Sequence, residues 1–223
     1  MLDNWLLKSK LKKYVKNFVK RVFLGKITAN QLTFLNLLLG ILSAISIFLS
    51  ARLQWDIIFI ILSIILMIFS FLFDAFDGAL ARLEEPSKFG GILDMFCDRM
   101  VEVSIIIAII STDPTNLLWP GIFSLGANVL CITMFLIVGG SIKAENLKET
   151  QKVIYYRKGL MERSETFVFL ILITILIWWR WILLWLFAAL VFLTALLRLY
   201  DAYKIFVKLK KNKRKLKNNE MKI

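Results

Sequence analysis

The chain contains no histidine and only two cysteines among its 223 residues. Proteins hold zinc and other soft metals mainly through imidazole and thiolate groups, so a site for such a metal is not expected. The two cysteines, Cys97 and Cys131, are too few for a disulfide framework, and their place inside apolar segments indicates that they pack in a core. Neither an internal repeat nor a separate polar domain is visible, which predicts one main structural unit.

Polar sequence is also scarce. Hydrophobic residues make up 59% of the chain and the mean hydropathy is +0.72, more than a soluble domain of this length needs. A helix needs about 20 apolar residues to cross a hydrocarbon core about 30 Å thick. Windows of this kind predict an all-α, polytopic membrane protein with six transmembrane helices, near residues 31–51, 55–78, 90–111, 117–142, 164–180 and 181–203. Arg180, between two tryptophans, is expected to mark the end of the fifth span at an interface.

Basic residues outnumber acidic ones by 29 to 16, and they are unevenly placed. Eight lie in the first 29 residues, six lie between positions 143 and 163, and more follow position 204. Loops rich in Lys and Arg stay in the cytoplasm, so both termini are predicted to be cytoplasmic in an integral protein of the cell membrane. Attraction to anionic membrane lipids explains the charge. No nucleic-acid partner is expected, because no recognition motif accompanies the basic residues.

Charge and hydropathy also divide the chain into three parts. Residues 1–24 alternate lysines with apolar residues at helical spacing, which predicts an amphipathic helix lying at the membrane interface. Residues 25–203 hold all the predicted spans and form the transmembrane domain. Residues 204–223 are predicted to form a basic cytoplasmic tail.

Four aspartates stand within the apolar segments, at Asp74, Asp77, Asp94 and Asp98. Acids inside a membrane are costly, so they indicate a functional site. Residues three or four apart share a helix face, so each helix presents a pair of carboxylates. Two facing pairs concentrate about four negative charges, which low dielectric tolerates only if cations neutralise them or some carboxyl groups stay protonated. Carboxylate oxygens suit hard divalent ions, so Mg²⁺ or Mn²⁺ is the expected metal.

Smaller features accompany the acids. Gly78 and Gly90 remove side chains where a bulky group must approach the backbone, and the guanidinium of Arg82 suits a phosphate. The whole string is D-x-x-D-G-x-x-A-R-x7-G-x3-D-x3-D, from Asp74 to Asp98. Arg82 alone would equally fit a residue whose charged end reaches the membrane surface. Acid pairs alone would fit a cation transporter, which is the alternative from a different functional class.

This string resembles the signature of the CDP-alcohol phosphotransferase family, with the seven-residue gap after Arg82 among the shorter variants. The resemblance implies a CDP-alcohol phosphatidyltransferase of phospholipid biosynthesis. Such an enzyme transfers a phosphatidyl group from CDP-diacylglycerol, or from an archaeal CDP-linked ether lipid, to an alcohol and releases CMP. It implies two Mg²⁺ or Mn²⁺ ions and a homodimer. The implied metal ligands are Asp74, Asp77, Asp94 and Asp98, with Asp98 also acting as the base.

Donor contacts follow from the same resemblance. It assigns Gly78 and Arg82 to the CDP-linked donor, and Ser87 matches a small hydroxyl position near it. The stretch ITANQLTFLNL, from Ile27 to Leu37, resembles the family's P-N-x-x-T element with Ala29 in place of proline. This second element adds four donor-binding candidates, which are Asn30, Gln31, Leu32 and Thr33. The alternative is that Thr28 or Asn30 simply caps the helix, and both roles are compatible because helix N-termini suit phosphates.

The acceptor is predicted from the loop before the fifth span. Lys143-Ala144-Glu145 and the segment from Gly159 to Arg163 resemble the subgroup that makes phosphatidylglycerol phosphate or phosphatidylinositol phosphate. Lys143, Arg157 and Arg163 are therefore candidate contacts for a small, phosphorylated alcohol, through charge-assisted hydrogen bonds. Glycerol 3-phosphate is the leading acceptor, with inositol phosphate or another polar alcohol as the alternative. The same cations would also arise from the positive-inside bias alone.

Overall fold

The computed structural model describes residues 10–53, 56–84, 87–146, 161 and 163–220, and the regular structure in these ranges is helical throughout. This confirms the predicted all-α class. A 3₁₀ turn at Ile177–Trp179 separates the last two α-helices. The helices are α1 (Lys10–Val22), α2 (Ala29–Ser50), α3 (Asp56–Ala81), α4 (Lys88–Thr112), α5 (Pro114–Asn146), α6 (Arg163–Ile175) and α7 (Arg180–Glu220).

Within the described residues, four segments are long and apolar enough to cross a membrane: Ala29–Ser50, Asp56–Ala81, Pro114–Val138 and Ile177–Val207. Six spans are therefore not confirmed. The predicted span at 90–111 falls in α4, which carries Asp94, Asp98 and Glu102. The predicted span at 164–180 falls in α6, which ends after 13 residues. Both helices carry buried polar side chains, Asp98 and Glu102 on α4 and Ser164, Thr166 and Thr174 on α6.

Arg180, which the sequence placed at the end of the fifth span, lies just after the end of α6 and packs inside the bundle. Its side chain is buried, and its guanidinium donates to the carbonyl oxygens of Ile173 (3.2 Å) and Thr174 (3.1 Å) and to Oγ1 of Thr112 (3.0 Å). The last carbonyls of a helix have no partner within it, so a buried arginine can satisfy them at the end of α6. The tryptophans around it are exposed, and Trp178 has 97% of its surface accessible.

The six helices from α2 to α7 share one apolar core, with members such as Ile47, Met67, Ile105, Leu170 and Phe187. Within the core, α2 and α4 approach closely at Gly40, where a Cβ would lie 2.4 Å from a methyl group of Val101. The backbone amide of Ala29 donates to Oε2 of Glu84 (3.5 Å), which holds the start of α2 against the end of α3. The beginnings of α2 and α4 and the end of α3 therefore meet at one end of the bundle.

The predicted amphipathic helix is present as α1, and residues 1–9 lie outside the described part of the chain. Val19 is buried against Leu80 in a second core cluster, while Lys16 and Lys20 are exposed. This arrangement gives α1 one apolar and one basic face. At the other end of the chain, α7 continues to Glu220, so the predicted boundary between residues 203 and 204 lies within one continuous helix.

Candidate active site

Three of the four signature aspartates converge. Asp74 on α3 and Asp94 and Asp98 on α4 each place one carboxylate oxygen within 4.8 Å of the other two. Asp98 is buried, with 7% of its surface accessible, whereas the Asp94 side chain is partly exposed. Asp77 is also buried but lies outside this group of three, toward the C-terminal end of α3.

Arg163 is the cation at the centre of this acid cluster. It is the first residue of α6, and its Nη2 donates hydrogen bonds to Asp74 and Asp98. Its Nη1 lies 3.8 Å from Oδ1 of Asp94. The sequence placed Arg163 at an acceptor site on the cytoplasmic side, and the structure places its guanidinium among the carboxylates. A positive side chain at a helix N-terminus is disfavoured by the helix dipole, so the carboxylates account for its position.

The carboxylates fit a hard divalent cation. Oδ2 of Asp77 and Oδ1 of Asp94 are buried and make no hydrogen bond to any described residue. Buried carboxylate oxygens without donors are costly, and a cation bound by oxygen ligands removes that cost. The three clustered aspartates alone could hold one ion. The donor set, oxygen only, suits Mg²⁺ or Mn²⁺ in preference to zinc.

A first cavity, of about 230 Å³, opens between the ends of α2, α3 and α4. Two helix N-termini face it. Oγ1 of Thr28 accepts from the amide of Gln31 (3.4 Å), and Oγ of Ser87 accepts from the amide of Gly90 (2.9 Å). Helix N-termini attract anions. The described residues that line the cavity are Thr28, Ala29, Asn30, Thr33, Asp77, Gly78, Ala81, Glu84, Ser87, Gly90, Gly91 and Asp94.

Four of the seven predicted donor contacts line this first cavity, namely Asn30, Thr33, Gly78 and Ser87, and Gly90 of the signature lines it as well. The other three lie elsewhere. Oε1 of Gln31 accepts from the amide of Thr28 (2.9 Å), which completes a capping box. Leu32 is buried in the cluster around Val19, and the guanidinium of Arg82 lies beside Gly78, where a Cβ would be 3.6 Å from its Nη1. Thr28 is therefore a helix cap, as the alternative held, and it also faces the cavity.

A second cavity, of about 420 Å³, lies on the other side of Asp94. Its polar lining contains three arginines, Arg99 from α4, Arg163 from α6 and Arg198 from α7, together with Asp94, Asp98, Asn128 and Thr166. Nη1 of Arg198 donates to the carbonyl oxygen of Cys131 (2.8 Å), and its Nε is buried without a hydrogen-bond partner among the described residues. A buried donor without a partner is costly, so other interactions of Arg198 must hold it there.

Sequence reasoning missed Arg99, Arg198 and Asn128. For Arg198 a signal existed, because an arginine within an apolar span is rare and functional by default. Arg99 follows Asp98 directly but lies outside the signature string. Of the predicted acceptor contacts, Arg157 lies outside the described residues. Lys143 belongs to α5, and only its backbone is among the described parts of the chain.

Asn36 is another buried polar residue that the motifs did not indicate. Its Nδ2 donates to Oδ1 of Asp98 (3.5 Å), and its Oδ1 accepts from Oγ of Ser70 (2.5 Å). This chain of hydrogen bonds connects α2, α3 and α4 beneath the acid cluster. Asn36 thereby holds one oxygen of Asp98 in a defined direction.

The chain is thus a helical membrane bundle with an acid cluster between two polar cavities, as expected for a membrane-embedded transferase that binds two substrates. The family model for CDP-alcohol phosphatidyltransferase matches residues 26–193, which is most of the chain. The chain belongs to this family. The match confirms the family predicted from the signature, and with it the expectation of an integral membrane protein and, at the level of the family, of a phosphatidyltransferase.

Individual relatives cover less of the chain. It is 39% identical over 108 residues to the archaetidylinositol phosphate synthase of Pyrococcus horikoshii, which is 45% of this chain and 52% of that protein. It is 34% identical over 97 residues to a bifunctional IPC transferase and DIPP synthase of Thermococcus kodakarensis, covering 43% of this chain and 20% of that protein. The chain thus spans about half the length of the first relative and about a fifth of the second.

The fold also matches a solved structure. The phosphatidylinositol phosphate synthase of Mycobacterium tuberculosis, solved with CDP-DAG bound, superposes with a TM-score of 0.66 over 86% of this chain and 94% of that one. Sequence identity is 16%. At this level the likeness establishes the shared fold.

Proposed function

We propose that this chain transfers a phosphatidyl-type group from a CDP-linked lipid to a phosphorylated alcohol and releases CMP. One observation carries the proposal. Two cavities of different character meet at Asp94, beside the carboxylates of Asp74 and Asp98. The first is lined by helix N-termini and acids without any described lysine or arginine, whereas the second has three arginines beside Asp94 and Asp98. A reaction at the junction would join a group held in one cavity to a group held in the other.

The first cavity suits the diphosphate of the donor. Its described lining contains Asp77, Glu84 and Asp94 but no lysine or arginine. A diphosphate would therefore be repelled unless cations lay between it and the acids. The family resemblance implies two divalent ions, held by Asp74, Asp77, Asp94 and Asp98. These ions would neutralise charge on the phosphates and on the departing CMP. The amides at the starts of α2 and α4 would add favourable partial charge.

Asp98 is the proposed base. Its carboxylate is buried at the junction and also lines the second cavity, so it faces an alcohol bound there. The acceptor oxygen would form a bond to the lipid-side phosphorus while the bond from that phosphorus to the CMP oxygen breaks. The proton of the attacking hydroxyl would pass to Asp98. Asn36 orients the carboxylate for this transfer, since it donates to Oδ1.

The second cavity suits an acceptor that carries its own phosphate. Arg99, Arg163 and Arg198 surround it, and guanidinium groups recognise phosphate through charge-assisted, two-pronged hydrogen bonds. The sequence favoured glycerol 3-phosphate. The names of the Pyrococcus and Mycobacterium relatives instead refer to lipid products that carry an inositol phosphate headgroup. Inositol phosphate is therefore the proposed acceptor, and glycerol 3-phosphate is second.

Location and assembly are part of the same proposal. The acid cluster and both cavities lie at the end of the bundle where α2 begins, next to the basic helix α1. By the positive-inside rule this end and both termini face the cytoplasm. A water-soluble acceptor would then enter from the cytoplasm while the acyl or ether chains of the donor stay in lipid. A homodimer remains a prediction from the family resemblance.

The test is a product assay with purified protein in detergent. CDP-diacylglycerol or a CDP-linked archaeal ether lipid would be supplied with Mg²⁺ or Mn²⁺ and one acceptor from a panel of inositol phosphate, glycerol 3-phosphate, inositol, glycerol and serine. We expect CMP release and a lipid product of the mass required by inositol phosphate. Efficient use of an acceptor without a phosphate would overturn the acceptor assignment. Ion flux in proteoliposomes without CMP release would support the cation transporter instead.

A further inference from the structure

Glu102 is a buried acid that the signature string does not include. It lies on α4, one helical turn beyond Asp98, with 4% of its surface accessible. A carboxylate in a membrane helix is costly unless specific partners hold it. Two partners are present. Oε2 of Glu102 accepts from Nη1 of Arg99 (2.6 Å) and from Nδ2 of Asn128 (3.1 Å).

Both partners line the second cavity, whereas Glu102 itself does not. Arg99 comes from α4 and Asn128 from α5, so Glu102 joins these two helices directly behind the cavity wall. Arginine has five N–H donors in a fixed plane. An ion pair through Nη1 holds that plane in one orientation and leaves other donors for the cavity. Asn128, itself buried, is held in the same way by one of its two amide hydrogens.

The charge of Glu102 also matters for the cavity as a whole. Arg99, Arg163 and Arg198 surround one space, and like charges in a medium of low dielectric repel strongly. Arg163 has the acid cluster as its counterion. Glu102 supplies the counterion for Arg99, which allows a third guanidinium at the cavity while the acceptor is absent.

We infer that Glu102 is a positioning residue for the acceptor, because it sets the orientation of Arg99 and Asn128 at the wall of the second cavity. This inference rests on the proposed function, since it assigns the second cavity to the phosphorylated alcohol. Glu102 touches neither substrate in this arrangement. Its effect reaches the reaction through the two side chains that it holds.

The experiment compares wild type with Glu102→Gln, Arg99→Gln and the double variant, using inositol phosphate as acceptor and CDP-diacylglycerol as donor. Glutamine keeps an acceptor oxygen for Asn128 but loses the ion pair with Arg99. We expect the KM for inositol phosphate to rise at least tenfold in Glu102→Gln, with the KM for the donor nearly unchanged. If Glu102 acts through Arg99, the double variant will be no worse than Arg99→Gln alone, because changes that act on one interaction do not add.

Controls separate positioning from stability. Thr112→Val removes a partly buried hydrogen bond from Arg180 at the far end of the bundle. We expect it to lower the melting temperature without changing the acceptor KM. If Glu102→Gln does not fold, Asn128→Ala tests the same wall from α5 and should raise the acceptor KM.

The positioning role and the proposed function would be overturned by different results. Folded, active Glu102→Gln with an unchanged acceptor KM, or multiplicative losses in the double variant, would overturn the positioning role. Wild-type protein that releases no CMP with any phosphorylated alcohol would instead overturn the proposed function.

Discussion

Arg163 donates a hydrogen bond to Asp98 across 65 positions of sequence, from the first residue of α6 to the middle of α4. The same guanidinium group bonds Asp74. Arginine and a divalent ion would neutralise the same carboxylate oxygens, so each reduces the need for the other. The acid cluster thus has a counterion that belongs to the chain itself. This relationship leads to a prediction about stability that does not require turnover.

We predict that Arg163→Gln lowers the melting temperature of the protein in EDTA and that Mn²⁺ largely restores it. Loss of the guanidinium leaves the clustered carboxylates without their cation, which costs about 2 kcal/mol once the partial exposure of Arg163 is considered. Bound Mn²⁺ would supply the missing charge. Thermal unfolding in detergent, with and without Mn²⁺, measures both effects. Arg52→Gln, at the exposed far end of α2, serves as the control. A deficit of the same size with and without Mn²⁺ would contradict the prediction.

Asp98→Asn should reduce turnover by roughly 10²- to 10⁴-fold, because an amide cannot accept the proton of the acceptor hydroxyl. Binding of the CDP-linked lipid should change little, since three of the aspartates remain. CMP release and donor binding are measured on the same preparation. Asp56→Asn, an exposed acid at the opposite end of the bundle, should behave as wild type. Near-normal CMP release by Asp98→Asn would remove Asp98 from its proposed role.

Asp77→Ala tests whether binding of the donor in the first cavity depends on a metal ion. Its Oδ2 makes no hydrogen bond among the described residues, and it lines the first cavity. We expect weaker binding of CDP-diacylglycerol and a higher Mn²⁺ concentration for half-maximal binding. The acceptor KM should change little, because Asp77 does not line the second cavity. Donor binding that does not depend on divalent ions, in wild type or variant, would rule out a metal-held diphosphate.

Gly90→Ala should weaken donor binding through local packing. A Cβ at this position would lie 2.8 Å from Oγ of Ser87 and 3.0 Å from Oδ1 of Asn30. Both groups face the first cavity, so one or both must move. We expect the donor KM to rise about tenfold. Gly126→Ala on α5, where a Cβ meets nothing within 4 Å, is the matched control. Equal kinetic effects of the two substitutions would show that packing at Gly90 is unimportant.

Arg198→Gln should raise the KM for a phosphorylated acceptor roughly ten- to a hundredfold, which corresponds to about 1.5–3 kcal/mol of charge-assisted hydrogen bonding. Its side chain lines the second cavity, where the acceptor phosphate is proposed to bind. The donor KM should remain nearly constant. Lys204→Gln, an exposed cation farther along α7, provides the control. Equal acceptor KM values for the two variants would count against a phosphate site at Arg198.

Much of the acid cluster and of the first cavity could be predicted from sequence because both depend on local spacing. Asp94 and Asp98 are four positions apart, and a helix places such residues on one face whatever surrounds it. Thr28 and Ser87 precede apolar helices, where a hydroxyl caps free amides. The same local rules predicted an all-helical membrane protein. They did not show that α6 ends at Ile175 or that Arg180 turns inward to satisfy its carbonyls, because apolar content alone does not mark these positions.

By itself the sequence determined the family, the helices and the faces on which the aspartates lie. Only the tertiary structure determined which side chains face these aspartates. Arg163, Arg198 and Asn128 come from three separate helices, and no spacing rule connects them to Asp98 or to one another. Their meeting results from the packing of an apolar core that joins α2 to α7. Contacts between distant segments depend on how whole helices pack, and therefore the second cavity and the counterion of the acid cluster became visible only in three dimensions.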